Sequence, residues 1–245
     1  MDPLIIILII SVLGPIIGSA IGVLKKPSEN FMYNLLAFAA GVMLAISFID
    51  LIPNSIALST VWLAALGVLI GAVVMYVLDR AIPHIHPELG TQEQGQKLKR
   101  TATYLLLGIF LHNFPEGMAI AAGTVTNMKA TFGIALAIAI HNIPEGICTS
   151  APYYYSTKKR LKSFLLSSST AIPLLLGFIV AYFLFQNIPS MIVGVIIAAT
   201  AGLMIYISGD ELIPTSCNKN RQEWNHSTIF SLIAGILFVI LLGAI

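Results

Sequence analysis

The chain reads as long apolar runs separated by short polar breaks. Eight runs can be drawn, at roughly 3–24, 31–53, 60–79, 101–125, 130–151, 161–185, 188–214 and 229–245. Each approaches the ~20 residues that a helix needs to cross the hydrocarbon of a bilayer. Stretches such as Leu4 to Ile10 show no alternation of polar and apolar residues, so the strand pattern of a membrane barrel is excluded. Only backbone bonded within its own segment survives in lipid without such a barrel. The pattern therefore predicts an all-α membrane protein of eight transmembrane helices. It forms a single polytopic domain over residues 1–245, with one longer connection at 80–100.

Composition fixes the solvent. Of 245 residues, 57% are hydrophobic and 10% charged, and mean hydropathy is +0.90; soluble domains carry about 25% charged residues. A chain this apolar has no surface to offer water, so its surroundings are the lipid bilayer. No basic residue precedes the first run, and Lys25 and Lys26 follow it. That order is the reverse of a signal peptide, so the first run is expected to be a retained helix.

Charge sets the orientation. With eight spans, twelve of the 13 basic residues fall in loops on one side, and only Lys129 lies opposite. The positive-inside rule makes the crowded side cytoplasmic, which puts both termini outside the cell membrane. The net charge of +2 asks for no nucleic-acid partner. Cys148 falls inside a span and Cys217 on the cytoplasmic side, so no disulfide is expected, and Cys148 reads as a small buried apolar residue.

Against this background two hexapeptides stand out: His112-Asn113-Phe114-Pro115-Glu116-Gly117 and His141-Asn142-Ile143-Pro144-Glu145-Gly146. Ionisable groups at membrane depth are costly and by default functional. Residues four apart share a helix face, so His112 projects with Glu116, and His141 with Glu145. Asn113 and Asn142 flank the same faces. Imidazole and carboxylate together suit zinc and its first-row neighbours. One helix offers two ligands; two helices packed face to face offer the four of a tetrahedral site. Pro115 and Pro144 have no amide proton for the carbonyls of Leu111 and Ile140, so helices four and five are expected to kink and release oxygens beside the ligands. Gly117 and Gly146 permit close approach there.

A second echo lies further out. Ser47-Phe48-Ile49-Asp50-Leu51-Ile52-Pro53 ends span two, and Ser208-Gly209-Asp210-Glu211-Leu212-Ile213-Pro214 ends span seven. These spans run in opposite directions, as in an inverted repeat. Asp50 then lies near the outer mouth, and Asp210 and Glu211 near the inner one, where carboxylates concentrate cations; interfacial helix capping is the plainer reading. Asp79 adjoins Arg80 as a candidate ion pair. His84 and His86 in the long loop read either as a weak metal-capturing pair or as two solvated histidines.

With these residues in place, the chain resembles the Zrt/Irt-like (ZIP) metal transporters over nearly its whole length. The paired His-Asn-x-Pro-Glu-Gly motifs carry the likeness, with Ala40-Gly41-Val42-Met43-Leu44 to Pro53 resembling the family's second helix. The resemblance implies transport of a divalent metal, most simply Zn²⁺ uptake into the cytoplasm, with Fe²⁺, Mn²⁺ or Cd²⁺ as further substrates. It implies a primary site of His112, Glu116, His141 and Glu145, with Asn113, Asn142 and the same glutamates approaching a second ion. It further implies an outer entrance at Asp50, exit residues at Asp79, Asp210 and Glu211, metal collection by His84 and His86, motion of one helical bundle against another, and a homodimer. Where many relatives carry Ala-Glu-Pro on span six, this chain reads Ala171-Ile172-Pro173. Ile172 cannot bind metal, so one strong ion position is expected.

Two other readings compete. An intramembrane zinc hydrolase would use bound metal to activate water, but its usual His-Glu-x-x-His signature is missing, so no enzyme and no catalytic cofactor are expected. A transporter working in the export direction fits the residues equally well, because sequence carries no driving force. No nucleotide-binding loop is present, so ATP does not drive the chain directly.

Overall fold

The computed structural model describes residues 3–24, 28–81, 113–125, 128–216 and 226–243, and among them every regular element is a helix. α1 is Pro3–Leu24. α2 runs in three consecutive stretches, Glu29–Ala45, Ile46–Leu51 and Ile52–Leu58. α3 is Val61–Ala81, α4 covers 113–125, and α5 is Met128–Thr157. α6 comprises Arg160–Ser168 and Ala171–Asn187. α7 comprises Ser190–Ile207, Ser208–Leu212 and Ile213–Ser216, and α8 is His226–Gly243. Apart from α4, all are long and apolar enough to cross a membrane. Their outward faces are apolar, as lipid requires: Leu69 is 60% exposed, Phe183 60% and Leu241 66%.

The places where α geometry gives way differ from expectation. α5 remains α-helical across Pro144, whereas α2 and α7 each pass through a π turn, at Ile46–Leu51 and Ser208–Leu212. The two turns are the same structure built twice. Ile52 N–H bonds to the Ser47 carbonyl, and Ile213 N–H to the Ser208 carbonyl. Ser47 donates to the Met43 carbonyl at 2.8 Å, and Ser208 to the Met204 carbonyl at 2.8 Å.

The cause is a strict four-residue repeat. Met43, Ser47, Leu51 and Ser55 are all buried, and so are Met204, Ser208, Leu212 and Ser216. Residues four apart drift by about 40° per step on an α-helix of 100° per residue, so such a stripe would wind off the packed face. A turn closed by an i→i+5 bond winds less per residue and keeps the four in line. Pro53 then sits in the first turn of the resumed helix, where its missing N–H costs little. This is why α2 continues to Leu58 instead of ending at Pro53.

Helix pairing repeats the same symmetry. α1 packs on α5 and α6, α3 on α7, and α8 on α2, while the ends of α2 and α7 cross antiparallel. In membranes such contacts rest on small residues and close van der Waals packing. Gly18 meets the Ile143 carbonyl and Gly146 the Pro15 carbonyl, locking α1 to α5; Gly117 meets the Leu174 carbonyl and Gly177 the Phe114 carbonyl, locking α4 to α6. A β-carbon on Gly146 would stand 2.7 Å from both the Pro15 oxygen and the Ser19 nitrogen. Exchanging helices 1–3 with 6–8 maps the first lock onto the second. The inverted repeat thus extends beyond the two quoted segments, and α4 and α5 occupy its centre.

Candidate metal centre

α4 and α5 bring Glu116, His141 and Glu145 together. All three are buried, at 0%, 0% and 2% exposure, and one ligating atom from each lies within 4.8 Å of the others. His141 and Glu145 share a face of α5 by their spacing, and Glu116 faces them from α4. His141 Nε2 stands 2.9 Å from Glu116 Oε1, and Asn142 Nδ2 donates to Glu116 Oε2 at 2.8 Å. Both oxygens of one carboxylate are therefore engaged by the neighbouring helix.

The proton count of this pair follows from its partners. His141 Nδ1 lies 3.1 Å from the Ala137 carbonyl, which can only accept, so Nδ1 carries hydrogen. The contact between Nε2 and Oε1 then requires one more proton, held on either atom. Burying an unpaired charge costs several kcal/mol, and the shared proton avoids it. A neutral imidazole and an ionised carboxylate, the forms that bind metal, arise when that proton leaves.

The two asparagines, alike in sequence, are held differently. Asn142 joins the cluster through Glu116. Asn113, 1% exposed, instead donates to the Thr170 carbonyl of α6 at 2.7 Å. α6 is broken at that point: Thr170 N–H bonds to the Ser167 carbonyl, and Ile172 N–H to the Ser169 carbonyl, just ahead of Pro173. Both amide oxygens, Asn113 Oδ1 and Asn142 Oδ1, are buried without a hydrogen-bond partner among the described residues. Ile172 is 51% exposed, and α6 adds no acid to the cluster. His112, which the sequence puts in the same site, lies outside the described residues, as do His84, His86 and Cys217. Cys148 is a buried free thiol outside the ligand group, in keeping with the apolar reading.

The outlying acids occupy the ends of the repeat. Asp50, within the first π turn, is partly exposed and accepts from Asn54 Nδ2 at 3.3 Å. In the second π turn Asp210 is exposed and Glu211 partly so. Asp79 hydrogen-bonds with Tyr206 of α7, while Arg80 stacks over Tyr76 at 5.0 Å.

Sequence reasoning missed a hydroxyl cluster one turn beyond Glu145. Ser19 Oγ lies 2.7 Å from Ser167 Oγ, which also donates to the Gly146 carbonyl at 3.1 Å. The Thr149 hydroxyl touches that of Ser167 and reaches the Glu145 carbonyl at 3.0 Å. Three helices are tied together there, directly under a candidate ligand. The available signal was Thr149, four residues after Glu145 in an apolar helix.

Comparison with known proteins accords with this arrangement. A family model described as ZIP zinc transporter matches residues 3–103 and 86–243. The chain is 40% identical over 230 residues to the zinc transporter ZupT of Salmonella paratyphi A, covering 90% of this chain and 88% of that relative. It is 38% identical over 228 residues to ZupT of Escherichia coli O127:H6, with the same coverage. A family model matched over nearly the whole chain, with relatives 38–40% identical over 90% of it, assigns it: the protein belongs to the ZIP family of zinc transporters.

Proposed function

We propose that this chain carries divalent transition-metal ions, Zn²⁺ foremost, across the cell membrane into the cytoplasm. Membership in a transporter family sets aside the hydrolytic alternative. The observation that carries the reading is the buried cluster of Glu116, His141 and Glu145, whose donor set suits Zn²⁺ and also admits Fe²⁺, Mn²⁺ and Cd²⁺.

In this reading His141 Nε2, Glu116 and Glu145 hold the ion, and His112, four residues before Glu116 in the sequence, supplies a fourth ligand. The arriving ion replaces the proton shared by His141 and Glu116, so the same atoms are satisfied whether the site is loaded or empty. Ions collect at Asp50 on the outside and leave past Asp210 and Glu211, with Asp79 beside them and His84 and His86 in the cytoplasmic loop. Alternating access arises from movement of α1, α4, α5 and α6 against α2, α3, α7 and α8, two groups within which the closest glycine contacts fall. Asn113, tied to α6, and Asn142, tied to Glu116, offer only neutral oxygens, which supports one firmly held ion. Both termini outside and a homodimer complete the proposal.

The test is Zn²⁺ influx into proteoliposomes loaded with a fluorescent indicator, compared with Cd²⁺, Fe²⁺ and Mn²⁺, with and without a pH gradient. His141→Ala and Glu145→Ala should each abolish influx while the protein stays folded. Wild-type flux in both variants would refute the site.

A further inference from the structure

We propose that the two π turns are the positioning devices of the transport path. Each holds a mouth carboxylate, Asp50 or Glu211, off the packed face of its helix, with Pro53 and Pro214 as the residues that maintain the turn. This rests on the transport reading above and adds the means by which the mouths are built.

The two segments align residue for residue: Ser47 with Ser208, Asp50 with Glu211, Leu51 with Leu212, and Pro53 with Pro214. The inner counterpart of Asp50 is therefore Glu211, and Asp210 takes the place of Ile49. Asp50 and Glu211 are the partly exposed members of turns whose Ser47, Leu51, Ser208 and Leu212 are buried.

On an uninterrupted α-helix the acids would be elsewhere. Asp50 lies three residues after Ser47 and four after Ile46, both 0% exposed. Glu211 lies three after Ser208 and four after Ile207, which are 0% and 1% exposed. At 100° per residue, positions three and four apart fall within about 60° of each other, so each acid would point into the packed seam between α2 and α7. Its leucine neighbour, about 100° further round, would lie at the edge of that seam. The i→i+5 closures from Ile52 to Ser47 and from Ile213 to Ser208 exchange the two. Leucine takes the packed line and the carboxylate moves to its edge. π turns of this kind recur at functional sites.

The prolines bias the choice. An α-helical continuation would need the N–H of residue 53 to bond the Ile49 carbonyl, and that of residue 214 to bond the Asp210 carbonyl. Proline has neither, and its ring would clash with the carbonyl four residues back, that of Ile49 or Asp210, so the α alternative is disfavoured at that step. Alanine restores both donors and lets each turn relax to α.

Two double-mutant cycles in proteoliposomes separate positioning from stability. Asp50→Asn and Pro53→Ala should each raise the apparent KM for Zn²⁺ several-fold with Vmax per folded protein unchanged, and the double variant should be no worse than Asp50→Asn alone. Glu211→Gln and Pro214→Ala should show the same non-additivity in Vmax. Pro53→Ala with wild-type KM, or an equal KM increase in the Asp50→Asn background, would overturn the proposal. If Pro53→Ala does not fold, the Pro214 cycle decides. Loss of flux in His141→Ala alongside an unaffected Asp50→Asn would refute this inference and leave the transport reading standing.

Discussion

Replacing Glu116 separates what the buried cluster does for stability from what it does for the ion. The carboxylate is 0% exposed and receives His141 at 2.9 Å and Asn142 at 2.8 Å. Glu116→Ala leaves two buried polar groups without partners, each worth ~1–3 kcal/mol, so a loss of about 2–6 kcal/mol is expected. Glu116→Gln keeps the shape and rebuilds both contacts. Its amide nitrogen donates to the Nε2 of a neutral His141, whose Nδ1–H still bonds to Ala137, and its oxygen accepts from Asn142. The glutamine variant should therefore lie within about 1 kcal/mol of wild type. It should nonetheless lose Zn²⁺ influx as fully as the alanine variant, because an amide replaces an anionic zinc ligand. Unfolding in detergent gives the first quantity, and indicator-loaded proteoliposomes the second. An alanine variant as stable as wild type, or a glutamine variant carrying Zn²⁺ at the wild-type rate, would refute the account.

The same geometry makes three further predictions. Zn²⁺ binding should release the proton shared by His141 and Glu116, seen as a binding enthalpy that changes with the ionisation enthalpy of the buffer; Glu116→Gln should abolish that dependence. Gly146→Ala should destabilise the protein by ~1–3 kcal/mol in thermal unfolding, because the new β-carbon meets Pro15 and Ser19 backbone atoms at 2.7 Å. Gly243→Ala, with nothing within 4 Å, should be neutral. Thr149→Val and Ser167→Ala should each cost about 1 kcal/mol, and together less than their sum, since each hydroxyl touches the other.

Much of the architecture is legible in the chain because lipid imposes hard rules. Backbone groups that find no water must bond internally, so apolar runs of membrane-spanning length become helices, and among the described residues the helices follow the runs. The hexapeptides announce their chemistry because an unneeded His or Glu at that depth is too costly to keep. Even the inverted repeat is visible in its two acidic segments. Its most direct sign, Met-x₃-Ser-x₃-Leu-x₃-Ser in both α2 and α7, is also written in sequence, but it becomes legible only once all eight positions are known to be buried.

Sequence by itself determined the solvent and the kind of elements, since these depend on composition and local spacing. Tertiary structure decided which atoms meet. Asn113 and Asn142 occupy identical motif positions, yet one is held by a carbonyl at the break in α6 and the other by Glu116 across α4 and α5. Pro144 left α5 regular, while the prolines after Asp50 and Glu211 follow π turns. Whether an extra residue is absorbed as a π turn depends on which face must stay packed against a neighbouring helix. That neighbour is distant in the chain and local pattern does not contain it.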